Sequence, residues 1–302
     1  MTTQTALGAD SPGLGTFLEA GGRRLWLHRE GSGLPAVVFL PGASLVGLDY
    51  LNIHQQVAPL ATSVLYDRGG TGWSDPDGLP RTAEAVATEL RDLLQAAEVP
   101  GPYIFVAHSL GGAYARRFGQ LFPALVAGVL YVDAFYEDND AFMPERLHLA
   151  RLPQPDPGPL MRGLMRPFAR RLYAKMLAGW PEPLRGRLIE AHLSPQWWQT
   201  GVKERSNLAE LADELKHGGP VPDVPVIVLS PEGTDPGLRL FMSGKAIRET
   251  AEGGRRRNLA LAASVSRGKH RALPDARHST VTTDRADAVV QAITDLLDLT
   301  CR

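Results

Sequence analysis

Across residues 16 to 132, short and wholly apolar runs alternate with stretches whose apolar positions recur at helical spacing. A strand with one wet face alternates apolar and polar residues, whereas a strand covered on both faces is apolar throughout. Continuous runs separated by amphipathic helices therefore predict a mostly parallel sheet flanked by helices. Residues 16–20 and 23–29, joined by Gly21-Gly22, read as an opening hairpin. Residues 36–40, 63–66, 103–107 and 126–132 read as buried strands. Residues 82–98 read as a helix with Val86, Leu90, Leu93, Leu94 and Ala97 on one face, and residues 111–122 as a second with Tyr114, Phe118 and Leu121 inward.

The alternation stops at Ala134 and does not return before Pro220. That segment is studded with proline, contains no run that reads as a strand, and has its clearest helices at 162–176 and 207–216. Strands resume at 225–229 and 269–272, and a helix over 284–299 closes the chain with Val289, Val290, Ile293, Leu296 and Leu297 on one face. The expected architecture is one α/β core, residues 1–133 and 221–302, with a helical cap, residues 134–220, inserted after the sixth strand.

Composition narrows the function by exclusion. The 302 residues are 44% hydrophobic and 22% charged, with a formal net charge of −1. No run is long and apolar enough to cross a bilayer, and no excess of positive charge is available to neutralise phosphates, so neither a membrane nor nucleic acid is an expected partner. Cys301 is the single cysteine, which excludes an intrachain disulfide and a cysteine metal site, and its place far from the candidate chemistry makes it incidental. Residues 1–15 lack the basic start and apolar stretch of a secretory signal, and a cytoplasmic location is the default expectation. Association into a homo-oligomer stays open.

The candidate chemistry begins at Phe105-Val106-Ala107-His108-Ser109-Leu110-Gly111-Gly112, which follows an apolar strand and opens a helix. A tight strand-to-helix turn holds a serine hydroxyl out at the strand's carboxyl end, provided the flanking residues are small. Ala107 and Gly111 meet that need, whereas a chance serine in a Gly-rich turn would not bring strand, turn and helix into register.

With Leu40-Pro41-Gly42-Ala43 and Tyr66-Asp67-Arg68-Gly69-Gly70-Thr71-Gly72-Trp73-Ser74 upstream, this text resembles an α/β-hydrolase fold protein, over the whole chain apart from 134–220, where that family inserts its variable cap. The resemblance implies a nucleophile, acid and histidine in that order, making Ser109 the nucleophile and His278, in Asp275-Ala276-Arg277-His278, the base. For the acid, Asp133 at the end of 126–132 is preferred. Asp235 and Glu232, after the next strand in the family's commoner location, remain alternatives because the aspartate falls about one residue late there. The resemblance also implies an oxyanion hole from the N–H groups of Leu110 and Ala43.

The implied activity is cofactor-free hydrolysis of a carboxylic ester or lactone. Ser109 disfavours the dehalogenase and epoxide hydrolase branches, whose pattern has Asp at the elbow. Carbon–carbon bond hydrolases, perhydrolases, hydroxynitrile lyases and a hydrolase-fold small-molecule receptor keep the serine and stay open. Trp180, Trp197, Trp198 and the neighbouring Phe and Tyr residues suggest an apolar or aromatic substrate pocket. None of the eight histidines shows the i, i+4 pairing with glutamate that marks a zinc helix, so no catalytic metal is expected; His108 and His270 read as packing or edge residues. The glycine-rich 67–74 segment lacks a phosphate-loop Lys and reads as a brace for active-site loops. Arg255-Arg256-Arg257 reads as a solvated face.

Overall fold

In a computed structural model, which describes residues 12–152, 158–235, 238–239 and 242–300, the chain runs β1 (Thr16–Ala20), β2 (Arg23–Glu30), β3 (Ala36–Leu40), α1 (Leu51–Val57), β4 (Ser63–Tyr66), α2 (Ala83–Ala96), β5 (Tyr103–His108), α3 (Gly111–Leu121) and β6 (Val126–Val132). It continues through α4 (Pro159–Met176), α5 (Leu184–His192), α6 (Pro195–Glu204) and α7 (Leu208–His217). After these come β7 (Val226–Gly233), α8 (Gly244–Ala263), β8 (Gly268–Arg277), α9 (Val281–Asp284) and α10 (Ala286–Thr300). The strands form one sheet in the order β1-β2-β4-β3-β5-β6-β7-β8. β1 and β2 pair antiparallel, as do β2 and β4, and every other pairing is parallel.

The apolar runs behave as two-faced strands. Ala36, Val38, Leu40, Tyr103, Phe105 and Ala107 join a core shared with α2 and α3, while Val37, Phe39, Ile104 and Val106 join a second core shared with α1 and α10. Thr82 caps α2 by accepting a hydrogen bond from the Ala85 amide, so the helix starts one residue after the expected boundary. Four α-helices, three short 3-10 turns and no strand occupy the described residues between β6 and β7.

Among the helices that the sequence pattern does not predict, α1 and α8 belong to the core. α1 buries Leu51, Ile53, His54 and Val57, too short a run to register as periodic. α8 spans twenty residues, yet it buries Gly253, Asn258, Leu261 and Ala262, so its inner face is small and polar at two of four positions. β7 and β8 also extend beyond their expected ends, through Pro231 and Pro274 respectively. On α4, Leu160, Leu164, Phe168 and Leu172 recur every four residues and lie exposed. Cys301 lies outside the described residues.

Candidate active site

Parallel strands deliver their carboxyl ends to one edge of the sheet, and three candidate residues meet there. Ser109 follows β5 with φ +50°, a left-handed conformation that a non-glycine residue adopts only under constraint. The constraint is visible in the backbone: the Ser109 amide donates to the Val132 carbonyl at 3.2 Å, and the Phe135 amide donates to the Ser109 carbonyl at 2.7 Å. Gly111 must be glycine, because a Cβ there would stand 2.1 Å from the Leu40 carbonyl oxygen.

Asp133 follows β6 with φ +41°, its amide bound to the Leu229 carbonyl at 2.9 Å. Its Oδ2 accepts a hydrogen bond from His278 Nδ1 at 2.7 Å, and His278 Nε2 lies 3.1 Å from Ser109 Oγ. With Nδ1 protonated toward the carboxylate, Nε2 is left as the acceptor for the serine hydroxyl. Burial alone would raise the Asp133 carboxyl. The hydrogen bond and charge of His278, with Arg257 and Asn258, outweigh it and hold the group well below the ordinary carboxylate range. Burial alone would lower the His278 imidazole; the Asp133 hydrogen bond and charge raise it above 6.5 instead. The imidazole remains 44% exposed, so solvent tempers that shift.

The two rival acids sit elsewhere. The β7–β8 pairing continues to Gly233 and Arg277, which carries Asp235 alongside Ser279 rather than the imidazole. Its Oδ2 accepts from the Ser279 amide at 3.3 Å and its Oδ1 from the Ser279 hydroxyl. Glu232 is exposed on β7.

The reading of Arg255–Arg257 as a solvated face is corrected at one position. Arg255 and Arg256 are exposed beside Glu252, but Arg257 turns inward from α8 and donates to Asp133 Oδ1 at 2.7 Å. Asn258 Nδ2 reaches the same oxygen at 3.1 Å and Ser230 Oγ at 2.7 Å, and His270 Nε2 lies 2.8 Å from that hydroxyl. Neither Arg257 nor Asn258 stands out in the sequence as a partner for a catalytic acid. The one signal was Ser243, whose side chain caps α8 by accepting from the Ala246 amide.

The loop bearing Ala43 abuts the serine, since a Cβ on Gly42 would lie 3.1 Å from Ser109 Cβ. Neither the Ala43 nor the Leu110 amide has a hydrogen-bond acceptor among the described residues. The loop is held from two sides. On one, the Gly42 amide donates to Tyr50 Oη at 3.2 Å, Tyr50 Oη lies 2.8 Å from His108 Nδ1, and His108 Nε2 lies 3.2 Å from the His278 carbonyl. For a neutral ring one assignment satisfies all three contacts: the tyrosine donates to Nδ1, and Nε2–H donates to the carbonyl. Burial and the nearby His278 pull the His108 pKa down to about 3, so the ring stays neutral.

On the other side, Arg68 donates to the Pro41 carbonyl at 2.7 Å, to the Gly42 carbonyl at 3.1 Å and to Glu204 Oε1 at 2.6 Å, while Glu204 Oε2 accepts from the Ser44 amide at 2.9 Å. Asp67 accepts from the Gly47 and Trp73 amides at 2.8 and 3.0 Å, and burial pushes its carboxyl up to about 7 against those two hydrogen bonds. The 67–74 segment is thus a brace, as expected from its lack of a phosphate-loop Lys.

The aromatic residues of 134–220 divide by role. Trp180 is buried and donates to the Leu48 carbonyl at 2.7 Å, and Trp197 packs edge-on against Trp73 and against His192 of α5, so both tie this segment to the loops that follow β3 and β4. Phe168 faces outward on α4.

A family model described as "Alpha/beta hydrolase family" matches residues 37–292. The chain belongs to the alpha/beta hydrolase family. Curated relatives of this chain are 25–36% identical over 83 to 138 residues, and it spans only 16–49% of their own length. Among solved structures, it is similar to a thermophilic esterase from Thermogutta terrifontis, with a TM-score of 0.64, 18% identity, and 95% and 98% of the two chains covered. It is also similar to Est816, described as an N-acyl homoserine lactone degrading enzyme, with TM-score 0.59, 18% identity and 93% and 99% covered. A third is the epoxide hydrolase CorEH, with TM-score 0.63, 16% identity and 94% and 98% covered. At such identities these likenesses establish the fold and leave the reaction to the site. No helix among the described residues is long and apolar enough to cross a membrane.

Proposed function

We propose that this hydrolase cleaves a carboxylic ester or lactone of an apolar or aromatic compound through an acyl-enzyme on Ser109. The observation that carries the reading is the relay from Ser109 Oγ to His278 Nε2 at 3.1 Å and from His278 Nδ1 to Asp133 at 2.7 Å. A hydroxyl in hydrogen-bond contact with a base that is itself oriented by a carboxylate is the arrangement that activates a serine.

Ser109 Oγ attacks the substrate carbonyl as its proton passes to His278 Nε2, and Asp133 stabilises the imidazolium. The carbonyl oxygen becomes an oxyanion held by the Leu110 and Ala43 N–H groups. Collapse expels the alkoxide, which takes the proton from His278. Water then attacks the acyl-enzyme, His278 accepts its proton, and breakdown returns that proton to Ser109 and releases the acid. The scheme needs only substrate and water. Residues 134–220 act as the cap that selects the substrate over a core of 1–133 and 221–302.

The names of two structural neighbours, an esterase and a lactone-degrading enzyme, agree with this class, and a hydroxyl at the elbow separates it from epoxide opening by a carboxylate. Ser109→Ala tests the reading. It should abolish hydrolysis of p-nitrophenyl esters and of a lactone panel while circular dichroism stays unchanged; retained turnover would overturn it.

A further inference from the structure

A second cluster of chemistry-bearing side chains lies at the opposite edge of the sheet. His28 and Glu30 are two residues apart on β2 and project from the same face, and α1 brings His54 against them. His28 Nε2 is 3.1 Å from Glu30 Oε1, His54 Nε2 is 3.6 Å from Glu30 Oε2, and the three ligand atoms lie within 4.8 Å of one another. We propose that His28, Glu30 and His54 form a binding site for one divalent transition-metal ion of the zinc type.

Three features point to an ion rather than a hydrogen-bonded cluster. His54 is fully buried, and its Nε2, which faces Glu30, has no hydrogen-bond partner. A buried imidazole nitrogen left unpaired is costly unless something meets it. The opposite nitrogen, Nδ1, is engaged by Ser63 Oγ at 2.8 Å, and a metal-bound histidine ordinarily has its second nitrogen fixed in this way. Two imidazoles and one carboxylate are also the donor set of three-ligand zinc sites, whereas calcium and magnesium require mostly oxygen. Ligands around zinc stand about 3.4 Å apart for tetrahedral bonds of about 2.1 Å, so side chains whose ligand atoms lie within 4.8 Å of one another need close by at most about 1.4 Å.

The position assigns the ion a structural role. Ser63 opens β4 and pairs with Glu30 and Val37, at the amino ends of the parallel strands, while Ser109 follows the carboxyl end of β5. An ion here would tie the antiparallel β2 to α1 and touch no group of the Ser109 relay. The glutamate side chain, 42% exposed, supplies the route of entry.

The test is titration of the full chain, freed of any affinity tag and stripped with chelator, with Zn²⁺ by calorimetry and with Co²⁺ by visible absorption. Wild type and Ser109→Ala should each bind one equivalent and melt at higher temperature with metal. Glu30→Gln and His54→Ala should weaken binding at least about tenfold, and Ser63→Ala about 10–100-fold. Because Glu30 is partly exposed, Glu30→Gln keeps the test decisive should the buried His54→Ala fail to fold. Absence of binding to wild type, or equal affinity in Glu30→Gln, would overturn the proposal.

Discussion

Glu204→Gln changes one oxygen to nitrogen at a site where both oxygens are in use. Glu204 and Arg68 side chains are each 2% exposed, and the carboxylate accepts from Arg68 at 2.6 Å and from the Ser44 amide at 2.9 Å. A carboxamide has one accepting oxygen, so either Arg68 or Ser44 loses its partner. The guanidinium keeps the Pro41 and Gly42 carbonyls and the Tyr114 ring at 5.2 Å, but no counter-charge. Removing one member of a buried pair costs about 3–5 kcal/mol, a large part of the roughly 5–15 kcal/mol that holds a domain folded. Urea unfolding should report that loss. On the proposed function, ester turnover should fall as well, because the same contacts fix the loop carrying Ala43, and misplacing a catalytic group by about 1 Å costs on the order of 100-fold. Replacing both members, Arg68→Met with Glu204→Leu, should recover part of the stability, since no charge is left stranded, but not the turnover, since the Ser44 amide and the Pro41 and Gly42 carbonyls lose their partners. A Glu204→Gln protein within about 1 kcal/mol of wild type would refute the reasoning.

Three further outcomes follow from the relay. Asp133→Asn should lower kcat by about 10⁴, whereas Asp235→Asn, at a carboxylate that bonds Ser279 rather than the imidazole, should stay within about tenfold of wild type in the same assay. Because His278 must be neutral to accept a proton and its pKa is raised, kcat/KM should be full at alkaline pH and lost as pH falls through a midpoint above 6.5; Asp133→Asn should move that midpoint down. Arg257→Met removes a charged donor from Asp133 Oδ1, and a loss of about 1.5–3 kcal/mol predicts a decrease in kcat/KM of roughly 10- to 150-fold.

The parallel core could be read from the chain because buried strands are apolar at every position, and β3, β5 and β6 announce themselves in that way. Ser109 was visible because its turn demands small neighbours in a fixed register, and His278 through the family pattern. Arg257 and Asn258 were not visible. They sit on a twenty-residue helix that buries only Gly253, Asn258, Leu261 and Ala262, so hydrophobic periodicity along it is too weak to announce an inward face. The choice between Asp133 and Asp235 depended on where β7 and β8 end, and two prolines within continuing strands concealed that. His28, Glu30 and His54 join residues of β2 and α1 and show no spacing pattern, so only tertiary packing brings them together. Local pattern thus reports elements and elbows, while pairings between distant elements emerge only from the fold.

The central claim is that Ser109 is the nucleophile of an acyl-transfer reaction. Its most direct test is intact-mass and peptide mass spectrometry after incubation with a fluorophosphonate, which phosphonylates an activated serine and mimics the tetrahedral intermediate. The account predicts a single adduct on the peptide containing Ser109, abolished in Ser109→Ala and greatly slowed in His278→Ala. An unmodified Ser109 peptide under conditions that inactivate a control serine esterase would contradict it.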